Sequence, residues 1–549
     1  MLRRRRAVLA LVAMAVILVF AACGGQGAPT DVSGPAGDTA AGPQPGGELI
    51  FGRNEETETL DPQATTTVSS AEVDYLIYDT LVTRDFDMSI KPGLAEDWNV
   101  SDDGLVYTFH LKPDVKFHSG KPLTAQDVKF TFERWKNKEG SPTRYQIDAV
   151  SEIQVVDEHT VRFILSEPYA IFLDVLTGYA ASILNEEFVT EVESRGQDYG
   201  TSPETVDGTG PFILKEWIRQ DHMTLVRNDA YTWGPPIYEN RGPAYLERVT
   251  LRVIPEDATR IAELEAGSID FTPTLPPVEV SRLENVSDLN LYRYTDLNTQ
   301  FIGFRLSAPI LSDIRVRRAI NHAINKEEVV EAAYYGLAEP ASGPLAPNTW
   351  GWWPGVEDIQ YRYDPEKAKQ LLEEAGWSQM DARGIRQKDG QPLKILLMYS
   401  KGPTTDVLMP LIQEQLRQVG IDVTLREMEW TAYLAALRAG EHEMMLMGVR
   451  YTNADILYFY FHSKQRPAPN RFAWADPETD RLLEMSRTST NDEERLKAYH
   501  DVQRIVVENA IWVPLVHEKR VVAAGPAVGP LKIHPANVLY KMLDVYKVR

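Results

Sequence analysis

The 549-residue chain has one cysteine, Cys23. A single thiol closes no intrachain disulfide and cannot furnish a Cys-rich metal site. Basic patterning is also scarce. Acidic side chains outnumber basic ones 79 to 57, the formal net charge is −22, and no basic stripe offsets it. Such a surface repels nucleic acid, which is excluded as a partner. The catalytic patterns sought are missing as well: there is no Gly-x-Ser-x-Gly elbow and no phosphate loop. His442-Glu443 opens like a zinc-protease motif, but Leu446 stands where the second His belongs. Two His one turn apart are needed to grip the metal from one helix face. The ten His are otherwise scattered. These absences point away from an enzyme and imply no cofactor and no metal.

What is present begins at the N-terminus. Arg3 to Arg6 form a basic cluster directly before an unbroken apolar run over residues 7–22. Sixteen residues fall short of the roughly 20 needed to span a bilayer, and a basic start with a small-residue end is a signal-peptide layout. The ending Phe20-Ala21-Ala22-Cys23 resembles a bacterial lipobox, which implies that Cys23 is lipidated and becomes the first mature residue. Losing four Arg and no acid with this segment moves the formal charge from −22 to −26. The next 24 residues, Gly24 to Gly47, include eight Gly and four Pro and almost no large apolar side chain. They cannot build a core, and as a flexible tether they would span roughly 25–30 Å. Later apolar runs, such as 395–399 and 511–516, are strand-sized. About 500 residues then remain, enough for two or three lobes.

Helices and strands alternate along this body. Thr124-Ala125-Gln126-Asp127 reads as a capping-box variant, followed by Val128, Phe132 and Trp135 at helical spacing. Asn325 opens a helix that Gly336 can close, Asp364-Pro365 opens another ending at Gly376, and Asn491 with Glu494 opens a further one. Val316, Ala319, Ile320, Ala323 and Ile324 give the helix after Asp313 one buried face. Strands are expected where Ile421, Val423 and Leu425 alternate and over 106–111, after the turn at Asp102-Asp103-Gly104. The class is mixed α/β. No internal repeat occurs.

Several ordered blocks carry a resemblance. Leu60-Asp61-Pro62 and Pro92-Gly93-Leu94-Ala95-Glu96-Asp97-Trp98 come first, then Gly104-Leu105-Val106-Tyr107-Thr108-Phe109 and Val115-Lys116-Phe117-His118-Ser119-Gly120-Lys121-Pro122-Leu123-Thr124. Gly208-Thr209-Gly210-Pro211-Phe212, Ala266-Gly267-Ser268-Ile269-Asp270, Asp313-Ile314-Arg315-Val316-Arg317-Arg318-Ala319 and Asp364-Pro365-Glu366-Lys367-Ala368 follow. Over nearly the whole mature chain this resembles extracellular solute-binding protein family 5, the peptide, dipeptide and nickel binders of ABC importers. Most of these Gly, Pro and apolar residues set turns and fill cores and are not expected to touch ligand. The resemblance implies a periplasmic-binding-protein-like class II fold with two α/β lobes. Lobe I would take 48–80, 208–300 and 516–549, with an inserted subdomain at 81–207; lobe II would take 301–515. It also implies a monomer outside the cytoplasm, anchored to the membrane by its N-terminal lipid and working with ABC permease subunits.

In peptide-binding relatives an Asp following a strand of the second lobe pairs with the ligand's amino terminus, since a desolvated ammonium needs a carboxylate. The corresponding segment here runs from Gly448 to Ser463, and counting back from His462-Ser463 puts that Asp near Arg450, with Asp455 at a later acidic position. The amine anchor is therefore absent or displaced. Two roles are open to Arg450: its planar fork suits a ligand carboxylate, phosphate or sulfonate, or it makes a salt bridge within the lobe. Tyr451, Asn453 and Asp455 are further candidates, with Asp455 alternatively capping the helix that follows. Trp350 and Trp352 in a Pro/Gly-rich loop, Trp430 and Trp474 can stack on sugars, peptide planes or cations, or fill cores. The aromatic run from Tyr458 to Phe461 reads as helix core. The ligand is expected to be peptide-like, with an oligosaccharide, or a sensory role without transport, as the alternatives.

Overall fold

The computed structural model describes residues 43–548 except Thr274, Pro530 and Val538, so the signal segment, Cys23 and most of the tether lie outside the described residues. Helices start where local capping signals predict them, because a cap depends only on residues three apart. Asp127 Oδ2 accepts from the Thr124 N–H at 3.0 Å and from its hydroxyl at 2.9 Å, at the head of the helix Ala125–Asn137. Asn325, Asp364 and Asn491 accept from the Glu328, Lys367 and Glu493 N–H groups at 3.1, 2.9 and 2.9 Å. Tyr335 and Gly336 turn to positive φ and end the helix Lys326–Tyr334.

One long mixed sheet organises the body. Asp422–Met428, Lys394–Ser400 and Met444–Arg450 lie parallel at one end. Phe271–Thr272, Glu48–Arg53, Arg248–Val253, His222–Arg227 and Phe212–Ile218 complete the other end. Between them run two long antiparallel strands, β1 (Asn290–Phe304) and β2 (Trp512–Ala524). The apolar run beginning at Ile511 is thus the start of a thirteen-residue strand, longer than the run itself.

β1 and β2 each pass from one hydrophobic core to another. Tyr292 and Tyr294 pack in a core with Leu49, Phe51, Phe271 and Val522, whereas Ile302 and Phe304 join Val513, Leu515 and Ile320. A third cluster, around Phe301, Tyr433, Phe472 and Trp512, covers the opposite face of that second end. At the crossing the side chains turn polar: Thr295 to Gln300 on β1 face the register of His517 to Lys519 on β2, and the ladder shifts between Thr295 and Thr299. Asp296 sits in this irregularity, fully buried.

A separate four-stranded antiparallel sheet, in the order Ala95–Val100, Val106–Leu111, Thr160–Leu165 and Val150–Asp157, packs its inner face on the helix Ala125–Asn137. Phe163 anchors it, meeting Phe132 and Phe109 edge-on at 4.9 and 5.7 Å. The C-terminal segment is bound back onto the first core through a buried ion pair between Lys541 and Asp79. Asp79 also accepts from Thr209 Oγ1 at 3.1 Å and from Tyr231 OH and Trp233 Nε1 at 3.3 Å, so one carboxylate ties four segments together.

Removing one member of such a pair leaves the other charged and buried without compensation. Lys541→Met is expected to lower stability by about 3–5 kcal/mol, read as a shift of the urea unfolding midpoint. A shift near zero would show that Asp79 is satisfied without the lysine.

Candidate functional site

The strand Met444–Arg450 ends where β1 and β2 cross, and the chain beyond it forms one wall of a cavity of about 280 Å³. Arg450, Tyr451, Thr452 and Asn453 line it from the second-core side together with Leu297 and Phe459. The opposite wall comes from the first-core side, with Tyr75, Arg84, Tyr145, Tyr169 and Asp174 among its residues, and Tyr540 closes it from the C-terminal segment. Walls from both cores, rich in aromatic rings with a few charged groups, are the usual make-up of a small-molecule site.

The wall loop is held from behind. The Trp350 N–H donates to the Thr452 carbonyl at 3.2 Å, the Thr349 hydroxyl donates to the Tyr451 carbonyl at 3.4 Å, and Trp350 bridges Asn453 in parallel. Asn453 Oδ1 in turn accepts from the Asp455 N–H at 2.9 Å. Trp350 therefore supports the loop with its backbone, while its ring lies beneath Arg495 at 4.8 Å and edge-on to Tyr499 at 6.0 Å. Trp352 packs beside the third cluster with its Nε1 buried. Trp474 donates from Nε1 to Thr479 at 3.3 Å, and Trp430 is exposed at the start of its own helix. None of these four Trp is among the residues lining the cavity.

Asp455 is also behind the wall. It is fully buried, its carboxylate makes no capping bond to the helix Ile456–Phe461, and it lies 3.1 Å from Arg487 Nε. Burial pushes its carboxyl up to about 6, against the pull of Arg487. The Arg487 guanidinium lies over the Tyr458 ring at 4.1 Å and near that of Tyr169 at 5.3 Å, and the Arg487 carbonyl accepts from the Ala170 N–H at 2.7 Å. Asp455 thus stiffens the cavity rim from within.

Arg450 lines the cavity, and its Nε donates at 2.8 Å to Asp296 on β1, so its salt bridge runs to the crossing strand rather than staying within the segment 301–515. Arg520 donates from Nε to the other Asp296 oxygen at 2.6 Å. Across the cavity, Arg84 pairs with Asp174 at 2.7 Å and donates to Thr177 Oγ1 at 3.2 Å, a buried pair that leaves little net charge on that wall. Burial raises the Tyr451 and Tyr169 phenols above their ordinary range, so both are neutral hydrogen-bonding groups.

A second cavity, of about 210 Å³, shares Arg450 and Ala536 with the first. Arg53, Glu72, Tyr294 and Arg520 are among its walls. Glu72 is pushed up to about 7 by burial, opposed by Arg53 at 3.9 Å.

Of the candidates read from the sequence, Arg450, Tyr451 and Asn453 line this cavity, together with Thr452, which was not singled out. Sequence reasoning missed Tyr75, Arg84, Tyr169, Asp174 and Tyr540, which come from segments far apart in the chain and carry no local motif. Phe459 corrects the reading of 458–461 as helix core alone, since it lines the cavity. Among the described residues no cluster of His, Cys, Asp and Glu is arranged to hold a metal ion, and no helix is long and apolar enough to cross a membrane.

Because the folded-state value of Asp455 lies above its unfolded one, its ionised form is penalised in the fold; the group favours folding at low pH and loses that contribution as pH rises through about 6. The stability difference between the wild type and Asp455→Asn is therefore expected to shift in favour of the wild type by about 1 kcal/mol on going from pH 7 to pH 5. Urea titrations at the two pH values measure it, and an unchanged difference would show that the carboxyl is ionised throughout.

Comparison with known proteins places these features. The profile of bacterial extracellular solute-binding proteins, family 5, matches residues 89–467. Oligopeptide-binding protein AppA of Bacillus subtilis is 27% identical over 556 residues, 99% of each chain. Di/tripeptide-binding protein 2 of Pseudomonas aeruginosa is 30% identical over 453 residues, covering 78% of this chain and 81% of its own. Among solved structures, the ABC transporter-associated periplasmic binding protein DppA from Helicobacter pylori, in complex with the peptide STSA, superposes with a TM-score of 0.72 at 29% identity, over 92% of this chain and 99% of that one.

Proposed function

The chain belongs to the bacterial extracellular solute-binding proteins of family 5, and from that membership we propose that it captures a peptide-like solute outside the cytoplasm and delivers it to an ABC-type importer. The resemblance also implies the two-lobed α/β class II architecture, which its solved relatives share. We assign lobe I to 48–80, 208–300 and 516–549, the inserted subdomain to 81–207 and lobe II to 301–515; the change of core partway along β1 and β2 supports the division. The observation that carries the reading is the cavity itself, walled from both cores and flanked by two long strands that pass between them.

A solute touching both walls binds the closed arrangement more tightly than any open one, so it shifts the population toward closure, and the closed form is what a permease recognises. Aromatic walls suit peptide planes and apolar side chains, and in this reading the chain performs no bond-making step. Solved relatives hold peptides that range from Met-Leu through STSA to a nonapeptide. An oligosaccharide is the contrasting ligand, because the sequence reads as having the amine-pairing Asp absent or displaced. The signal layout and Cys23 support a lipid anchor, with the tether letting a monomeric body turn above the membrane.

Ligand that binds only the folded form stabilises it by about 2.7 kcal/mol at a hundredfold excess over Kd. A thermal-shift screen should therefore show a raised melting temperature with di- to nonapeptides and none with oligosaccharides. Stabilisation by oligosaccharides alone would overturn the peptide reading. For the anchor, Cys23→Ala is expected to move the protein from the membrane fraction to the soluble extracytoplasmic fraction; retention in the membrane would refute lipidation at that residue.

A further inference from the structure

We infer that the cavity between the two cores selects N-acylated peptides, whose amino end is uncharged, over peptides with a free ammonium. This rests on the capture reading above and names the ligand chemistry that reading leaves open.

An ammonium taken out of water needs an ionised carboxylate to pair with. Among the residues lining the cavity, Asp174 is the one acid. Its Oδ1 already accepts from Arg84 at 2.7 Å, and the pair is buried, with 9% of the Asp174 side chain accessible. Asp296, reached through Arg450, gives one oxygen to Arg450 and the other to Arg520. Asp455 is fully buried behind the wall, beside Arg487. Arg84, Arg450 and Arg520 thus stand against Asp174 and Asp296, and the excess is positive, which opposes a further cation.

Aromatic faces are the other means of holding an ammonium. Two of the lining rings, Tyr169 and Phe459, already face the Arg487 guanidinium at 5.3 and 5.8 Å. Past Tyr145, the acids Glu139 and Asp148 are exposed and share their depression with Lys138 and Arg144. A pairing there would join solvated charges and contribute little.

What the walls do offer is neutral. Burial keeps the Tyr169 and Tyr451 phenols protonated. The side chains of Gln146 and Thr452 line the cavity and make no hydrogen bond among the described residues, leaving an amide and a hydroxyl for an acyl carbonyl or a peptide N–H. Replacing the ligand's ammonium by a neutral group therefore removes a desolvation cost that no group in the cavity offsets.

The test is isothermal titration of the mature protein with Ala-Phe-Ala and with lactoyl-Phe-Ala, an acylated dipeptide of the same shape in which a hydroxyl replaces the ammonium. The wild type is expected to bind the lactoyl form on the order of tenfold or more tightly than Ala-Phe-Ala. Thr452→Asp sets an unpaired carboxylate on the wall and should abolish or reverse the preference, whereas Thr452→Asn, of the same size without the charge, should keep it. Ala-Phe-Ala bound by the wild type as tightly as the lactoyl form, or more tightly, would show that Asp174 serves an ammonium despite Arg84; that result overturns the inference and leaves the peptide reading standing. It decides the matter whether or not Thr452→Asp folds. A lactoyl preference equal in Thr452→Asp and Thr452→Asn overturns the inference too, by placing the discrimination outside this cavity. If neither ligand binds, the peptide reading falls and the inference falls with it.

Discussion

A chain that divides its apolar residues between two cores has to cross from one to the other, and the crossing cannot itself be apolar without fusing the two. β1 and β2 run through the crossing side by side, with their ladder interrupted between Thr295 and Thr299 and their side chains mostly polar between Tyr294 and Phe301 and between Val516 and Val521. The price is a carboxylate, Asp296, buried at the ladder's irregular point, and Arg450 and Arg520 compensate it. A buried charge without such partners would cost several kcal/mol.

The candidate site follows from that arrangement. The strand that delivers Arg450 to Asp296 continues directly into the cavity wall, so the ion cluster positions the loop from Tyr451 to Asn453. The segment around Trp350 fixes the same loop from behind through backbone bonds, and Asp455 with Arg487 stiffens it from inside the lobe. Opposite, the Arg84–Asp174 pair and the tyrosines of the first-core side stand on separate segments brought together by that core. Neither wall encloses the cavity alone.

Some of this was open to reading in the residues themselves. Helix starts at Thr124, Asn325, Asp364 and Asn491 were legible because each cap is a contact three residues long. The buried face of the helix Ile314–Ala323 was legible from its spacing. Arg450, Tyr451 and Asn453, which line the cavity, could be singled out because they lie in one short segment placed by counting back from His462-Ser463. The four Trp were weighed as stacking surfaces, yet an indole looks the same in a sequence whether it faces a ligand or a neighbouring helix. Asp455 was weighed as a ligand contact or a cap; its partner Arg487, 32 residues on, could not be inferred from spacing.

What the sequence by itself determined is therefore what short range decides: mixed α/β class, capped helices, a basic cluster followed by an apolar run at the N-terminus, and an ordered set of blocks sufficient to recognise the family. The polar blocks at Thr295 to Gln300 and His517 to Arg520 were also written there, but as two unconnected interruptions more than 200 residues apart. Only the tertiary structure decided that they face each other, that Asp296 takes both arginines, and that Tyr75, Tyr169 and Tyr540 share one cavity with Arg450. The reason is that such neighbours are chosen by how two cores pack and where two strands cross, and no local propensity carries that information.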